Sequence, residues 1–226
     1  MKKILYSVAL AACCMGTMTS CSDFLDASNK SNVTAKQSFA TKEGLNNLVN
    51  NAYQHLQNVY AAPLFTSCFS AGTDMYADAR NKMNEALNTY ETLTPENTDI
   101  KNLYTYLYAG IRAANSVSYY AQTAQVDDKT KGQLVGEARV LAAYEYYLLV
   151  NNFGGVPIMK DFLTTADTGY PKSSAADVYA YIISELEDVI SKNVLQASTA
   201  TKGGGRISQE TAKAILAKTY LSAAWD

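Results

Sequence analysis

Apolar residues return every three or four positions in five long stretches of the chain, the spacing that gathers them on one face of an α-helix. The first runs through Leu45, Leu48, Val49, Ala52, Leu56, Val59 and Tyr60, with Thr41 placed to cap its start. The second, "TDIKNLYTYLYAGIRAANSVSYYAQ", sets Leu103, Leu107, Ile111, Ala114 and Ser118 in register behind a cap at Thr98 or Asp99. The third, "DDKTKGQLVGEARVLAAYEYYLLVNNF", puts Leu134, Ala138, Leu141, Glu145, Leu148 and Leu149 on one stripe. It stops at Gly154-Gly155, with Pro157 just beyond. The fourth opens on "PKSSAADVYAYI", where Ser174 and Asp177 have the spacing of a capping box, and its apolar face is Val178, Tyr179, Ile182, Leu186, Val189 and Ile190. The fifth follows the cap Ser208, with Glu210 in its first turn favouring the helix dipole. Ala212, Ile215, Leu216, Thr219, Tyr220 and Ala223 line one side of it.

No alternating strand pattern of useful length accompanies these helices, so the fold class is all-α, built of antiparallel helix pairs, second with third and fourth with fifth. In "AKAILAKTYLSAAW" the small residues Ala212 and Ala223 and the large ring of Tyr220 suit a closely packed helix hairpin of tetratricopeptide type. The Ser/Thr/Gly loop "QASTATKGGG" breaks the strict repeat period, so the expected architecture is a degenerate, right-handed tetratricopeptide-like helical repeat with long irregular loops. One such loop, "APLFTSCFSAGTDMYADARNKMNEALNTYETLTPEN", is expected to be irregular apart from a short helix near Arg80 to Tyr90. The other, about Gly155 to Ser173, contains "VPIMKDF", which reads as extended.

Long loops on a helical scaffold are where binding residues concentrate. Within Pro63 to Asn97, "GTDMYADAR" offers Asp74, Asp78 and Arg80 beside Tyr76. A sugar site needs that mixture, a ring against the C–H face of the sugar and charged groups for its hydroxyls. For Asp74, capping of the loop's own amides is an equal alternative to ligand contact.

Lys2 and Lys3 followed by "ILYSVALAACCMG" form the charged and apolar regions of an export leader. The apolar run is short of the roughly 20 residues that span a membrane. A small or apolar triplet before a cysteine is the pattern of a lipoprotein cleavage site, and both "LAAC" at Cys13 and "MTSC" at Cys21 fit it. Cutting at Cys13 leaves an apolar region of only Ile4 to Leu10, whereas Cys21 gives a full leader followed by polar "SDFLD". The organisation read from this is a signal peptide at 1–20, a lipidated flexible tether at 21–37 and a helical domain at 38–226. After such processing Cys68 remains, flanked by Leu64, Phe65 and Phe69, and reads as a buried, inert thiol.

The formal charge is -2, and Arg80, Arg112, Arg139 and Arg206 are scattered, which leaves no basic patch for nucleic acid. The 17 tyrosines are expected mainly in the core and the helix seams, where an apolar ring with a polar tip fits. The single histidine, His55, has no partners for a metal site or a catalytic triad and reads as an ordinary helix-flank residue. Glu185, Glu187 and Asp188 read as a solvated helix face, and Asp127 and Asp128 as a helix start. "GGG" at Gly203 to Gly205 lacks the ending of a phosphate loop and reads as a linker. No catalytic constellation, metal site or cofactor is expected; a secreted hydrolase would need a carboxylate pair that nothing singles out.

Six blocks in order, "CSDFLD", "FATKEGLNNLVNNAYQHL", "LYTYLYAGIRAANSV", "GEARVLAAYEYYLLVNNFGGVPIM", "SSAADVYAYIISELEDVI" and "GRISQETAKAILAKTYLSAA", closely resemble the N-terminal half of the SusD/RagB family of outer-membrane nutrient-binding lipoproteins. The resemblance implies lipidation at Cys21, because members begin their mature form at a cysteine followed by a stretch like "SDFLD". It also implies a non-catalytic protein of a Gram-negative outer membrane, lipid-anchored and surface-exposed. Such a protein captures glycans, or in some members peptides, and passes them to a SusC-like TonB-dependent barrel transporter. Members are longer than this chain, which is expected to be truncated relative to them, and much of their ligand site comes from the C-terminal half. A helical adaptor that docks on the transporter without binding sugar is the alternative.

Overall fold

The computed structural model describes residues 34–61, 63–76, 85–165, 169–198 and 205–225. The leader, Cys21, nearly all of the expected tether, Asp78 and Arg80 lie outside the described residues. Among those described, eight segments are helical: α1 (Ala35–Ser38), α2 (Lys42–Tyr60), α3 (Leu64–Phe69), α4 (Glu85–Thr89), α5 (Thr98–Ala121), α6 (Asp128–Phe153), α7 (Ala175–Lys192) and α8 (Gln209–Ala223). The five long ones are those the apolar spacing predicts, and the described residues contain no strand.

Helix starts follow side-chain chemistry. The Thr41 hydroxyl accepts from the Gly44 amide at 3.1 Å, Asp127 from Thr130 at 2.9 Å and Ser208 from Thr211 at 3.2 Å. Ser174 and Asp177 close a reciprocal capping box on α7. The cap of α5 is neither Thr98 nor Asp99 but Asn97, whose Oδ1 accepts from the amides of Asp99 and Ile100. The sequence places three capping types in a row, and the residue just before the helical backbone begins takes the role.

Each long helix packs on its neighbours in the chain, α2 on α5, α5 on α6, α6 on α7 and α7 on α8, and α2 also reaches α6. The expected pairs α5–α6 and α7–α8 are both present, while α2 finds its partner in α5. This makes α6 the central element. Its expected stripe is buried, and so are Val140, Ala142, Ala143, Tyr146 and Val150 on its other sides. Covering Leu141 and Leu149, at 1% and 0% exposure, contributes roughly 1.5–3 kcal/mol each.

Several expectations change with the structure. The last three residues of the stretch read as tether, 35–37, are already helical, in a short helix that ends at Ser38. The segment between α2 and α5 holds two short helices; α4 falls within the predicted region, whereas α3, through Leu64 and Cys68, was read as irregular. "VPIMKDF" makes one isolated bridge, Pro157 to Lys172, and no strand. The acidic face of α7 is not simply solvated. Arg139 of α6 binds Glu185 at 2.7 Å and Asp188 at 2.5 Å, and the Tyr220 hydroxyl donates to Glu187 at 2.6 Å. Tyr60 and Tyr220, expected on apolar faces, are both exposed.

Candidate functional site

The loop after α3 is where the sequence places binding chemistry. Its path is set by Gly72, whose φ of 74° is open to glycine at little cost. A Cβ there would come 2.2 Å from the Tyr90 hydroxyl and 2.6 Å from the Leu87 carbonyl oxygen, so the loop lies directly against the end of α4. The Gly72 amide donates to Asn88 Oδ1 at 3.4 Å, and the Thr73 hydroxyl donates to the Ser70 carbonyl at 2.7 Å. Tyr90 holds a φ of 64°, a conformation that costs a bulky residue of order 1–3 kcal/mol and that clusters at ligand sites. More than half of its surface is exposed, and it borders a cleft of about 320 Å³ with Cys68, Leu93, Asn151, Asn152 and Phe153.

Of the four ligand candidates in the sequence, Asp74 is exposed, Tyr76 is half-buried and neither lines this cleft; Asp78 and Arg80 lie outside the described residues. Asp74 caps no amide among the described residues, and the Met75 amide donates to the Thr73 hydroxyl. Cys68 is half-buried in the cleft wall, and burial, with Asp99 nearby, pushes its thiol up to about 11, in keeping with an inert cysteine.

The second long loop is fastened to the helices by hydrogen bonds. The Tyr108 hydroxyl donates to the Pro157 carbonyl at 2.7 Å and the Asn115 amide to the Met159 carbonyl at 2.8 Å. The Tyr146 hydroxyl accepts from the Met159 amide at 2.7 Å and donates to its carbonyl at 3.3 Å. Burial pushes the phenols of Tyr108 and Tyr146 well above their ordinary value, so they stay neutral donors. Between this loop and α5 lies a mainly apolar cleft of about 390 Å³, walled by Tyr104, Tyr108, Arg112, Pro157, Met159 and Tyr170.

A third cleft, of about 340 Å³, shares Ala109 and Arg112 with the second and adds Phe39, His55, Ser116, Tyr120 and Phe162. His55 is therefore not an ordinary helix-flank residue. Its Nδ1 is buried without a hydrogen-bond partner among the described residues, and desolvation lowers its pKa, which favours the neutral ring. The edge contact of Tyr104 on Phe153, centroids 5.2 Å apart, joins the second cleft to the first.

Sequence reasoning did not single out Tyr90, Tyr104, Tyr108, Arg112 or Tyr170. The four-residue spacing of Tyr104, Tyr108 and Arg112 was legible, but a tyrosine at helical spacing reads as a seam residue until a loop is seen to leave it half-uncovered. Chemically the three clefts offer aromatic faces, amides and one guanidinium, which can hold a ligand. Among the described residues no group of three or more His, Cys, Asp or Glu is placed to hold a metal ion, and no helix is long and apolar enough to cross a membrane.

Comparison with known proteins fits this geometry. Residues 23–221 match the SusD-like family described as starch-binding associating with outer membrane. The chain is 27% identical over 190 residues to a SusD-like protein of Formosa agariphila, covering 82% of this chain and 36% of that one. It is also 27% identical over 134 residues to a SusD-like protein of Bacteroides ovatus, covering 58% and 24%. Among solved structures, surface glycan-binding protein A from Bacteroides uniformis superposes with a TM-score of 0.67 at 25% identity, over 78% of this chain and 41% of that one. A SusD homolog from Bacteroides thetaiotaomicron does so with a TM-score of 0.69 at 21% identity, over 87% and 39%. The chain thus spans about a third or less of the length of these two sequence relatives. With the family match running through all five long helices, the chain belongs to the SusD-like family.

Proposed function

We propose that this chain is the N-terminal helical part of an outer-membrane lipoprotein that captures nutrient glycans and passes them to a SusC-like TonB-dependent barrel transporter. In this reading residues 1–20 are the signal peptide, Cys21 carries the lipid, and the helices from α2 onward are the scaffold. The protein binds and does not catalyse, and it needs no cofactor. The observation that carries the reading is the family match over 23–221, with its starch-binding, outer-membrane description. The solvent-facing Tyr90 ring beside the Asn151 and Asn152 amides supports it, because ring stacking with convergent polar groups is how concave sites hold sugars.

The alternative reading is docking on the transporter without sugar affinity. Gentle solubilisation of outer membranes and affinity purification of the chain, followed by glycan titration of what is recovered, separates the two. Near-stoichiometric recovery of a large barrel protein that binds oligosaccharide supports capture and transfer. Recovery of the barrel without glycan binding supports the adaptor. A chain recovered alone from the soluble fraction refutes both.

A further inference from the structure

Arg112 stands where two clefts meet. It lines the one walled by Tyr104, Tyr108 and Tyr170, and also the one walled by Phe39, His55, Tyr120 and Phe162. Among the described residues neither lining contains an aspartate or a glutamate, and Arg112 is the only lysine or arginine in either. That is a local positive field in a chain with 21 acidic residues against 19 basic ones. Arg139 and Arg206 are each committed to carboxylates at 2.7 Å, whereas Arg112 has no carboxylate partner among the described residues.

What holds Arg112 instead is a ring. Its guanidinium carbon lies 5.4 Å from the Phe162 centroid, and Phe162 rests against Tyr119 and Tyr120 at 5.4 and 5.8 Å. A cation–π contact takes up none of the guanidinium N–H donors in hydrogen bonds, which leaves them to fork onto an oxyanion. The aromatic walls on either side suit the C–H faces of pyranose rings. Asn51 adds neutral hydrogen-bonding capacity on one side.

We propose that the two clefts sharing Arg112 take an acidic oligosaccharide, its sugar-borne oxyanion held by Arg112 and its rings lying against Tyr104 and Tyr108 on one side and Tyr120 and Phe39 on the other. This rests on the glycan-capture reading and names the substrate class for it. A carboxylate of a uronic acid and a sulfate ester present the same chemistry to the guanidinium, and the test distinguishes them.

The experiment is calorimetric titration of the full chain in detergent with three probes: tetragalacturonate, a sulfated galactan tetrasaccharide and maltotetraose. Tight binding of either acidic probe is expected, and whichever binds identifies the oxyanion. Arg112→Gln is expected to weaken that probe about tenfold or more, the worth of a charge-assisted hydrogen bond, with Arg112→Lys recovering part of the loss. Arg112 is exposed, so the far-ultraviolet spectrum of each variant is expected to match that of the parent. An acidic probe bound equally by Arg112→Gln overturns the assignment. So does a chain that binds maltotetraose and neither acidic probe, which would leave glycan capture standing. A chain that binds none of the three overturns both.

Discussion

Replacing Arg206 by methionine removes, among the described residues, the only cation paired with a fully buried carboxylate. Arg206 Nε lies 2.7 Å from Glu137 Oε2, and the Glu137 side chain is 1% exposed against 24% for Arg206. The guanidinium also donates to Asn50 Oδ1 at 2.9 Å and Asn46 Oδ1 at 3.2 Å, tying the start of α8 to α2. Methionine keeps much of the aliphatic packing, so the variant isolates the charge. Glu137 does not lose every partner, because the Tyr53 hydroxyl at 3.2 Å and the Gln133 amide at 3.1 Å remain. Breaking a buried pair by deleting one member costs about 3–5 kcal/mol, and the two surviving bonds place this case near about 3 kcal/mol. For a domain of this size that lowers Tm by roughly 6–12 °C.

Urea unfolding followed by far-ultraviolet circular dichroism measures the loss directly. The double variant Arg206→Met with Glu137→Gln no longer strands a charge. Its cost is therefore expected to fall short of the sum of the single costs by about 1.5–3 kcal/mol. A single-variant loss under about 1 kcal/mol, the range of exposed pairs, would refute the reasoning. So would additive costs, since they would mean that Arg206 and Glu137 stabilise the fold independently.

Two further predictions concern the other buried acid of α6. Glu145 is fully buried with no hydrogen-bond partner among the described residues, and desolvation raises its pKa well above 4.5, so the fold favours its neutral form. Its contribution is complete below about pH 4.5 and shrinks as pH rises, by about 1.4 kcal/mol per unit until the folded pKa is reached. Glu145→Gln is therefore expected to gain stability over the parent between pH 5 and 8, and parallel stability curves would count against the argument. Gly110→Ala would place a methyl 1.8 Å from Glu145 Oε1 and 2.4 Å from Cδ. Overpacking of about 1–3 kcal/mol is expected to outweigh the gain of about 1 kcal/mol in helix propensity, and Glu145→Ala in the same chain should restore the balance in favour of alanine.

The helices were legible because their burial is one-sided. Leu45, Leu48, Val49 and Ala52 of α2, and Val178, Ile182, Leu186 and Val189 of α7, repeat at the period of the helix and are buried as that period predicts. The centrality of α6 was harder to read. A helix packed against four others, α2, α5, α7 and α8, buries residues on most of its faces, so the stripe through Leu134 and Leu141 was only part of its buried surface. The site was less legible still. Tyr108 and Tyr146 look alike in sequence, two ring residues on helices, yet one is half-buried in a cleft wall and the other is 0% exposed. What separates them is where the 155–161 backbone crosses, and that depends on contacts from residues more than forty positions away. Likewise Glu145 fell on an apolar stripe, and spacing alone does not say whether such a carboxylate meets a cation, as Glu137 does, or a glycine.

The same buried residues that hold the bundle also shape the clefts. Tyr146 has no exposed surface, so by burial alone it belongs to the core. Its hydroxyl nevertheless makes two hydrogen bonds to the Met159 backbone, and Asn115 adds a third to the same residue. Met159 in turn walls the cleft in front of Tyr104, Tyr108 and Arg112. A loop left free would have to be ordered when a ligand arrived, at about 0.5–1.5 kcal/mol for each immobilised side chain. Here that entropy is given up when the chain folds, and the offset comes from a central helix packed against four others. Affinity at this cleft then depends on what its walls carry rather than on closing the loop. A fold made largely of ordinary helix packing can thus present a preformed site: the helices supply rigidity, and a few hydroxyl and amide groups on them fix the backbone that completes the walls.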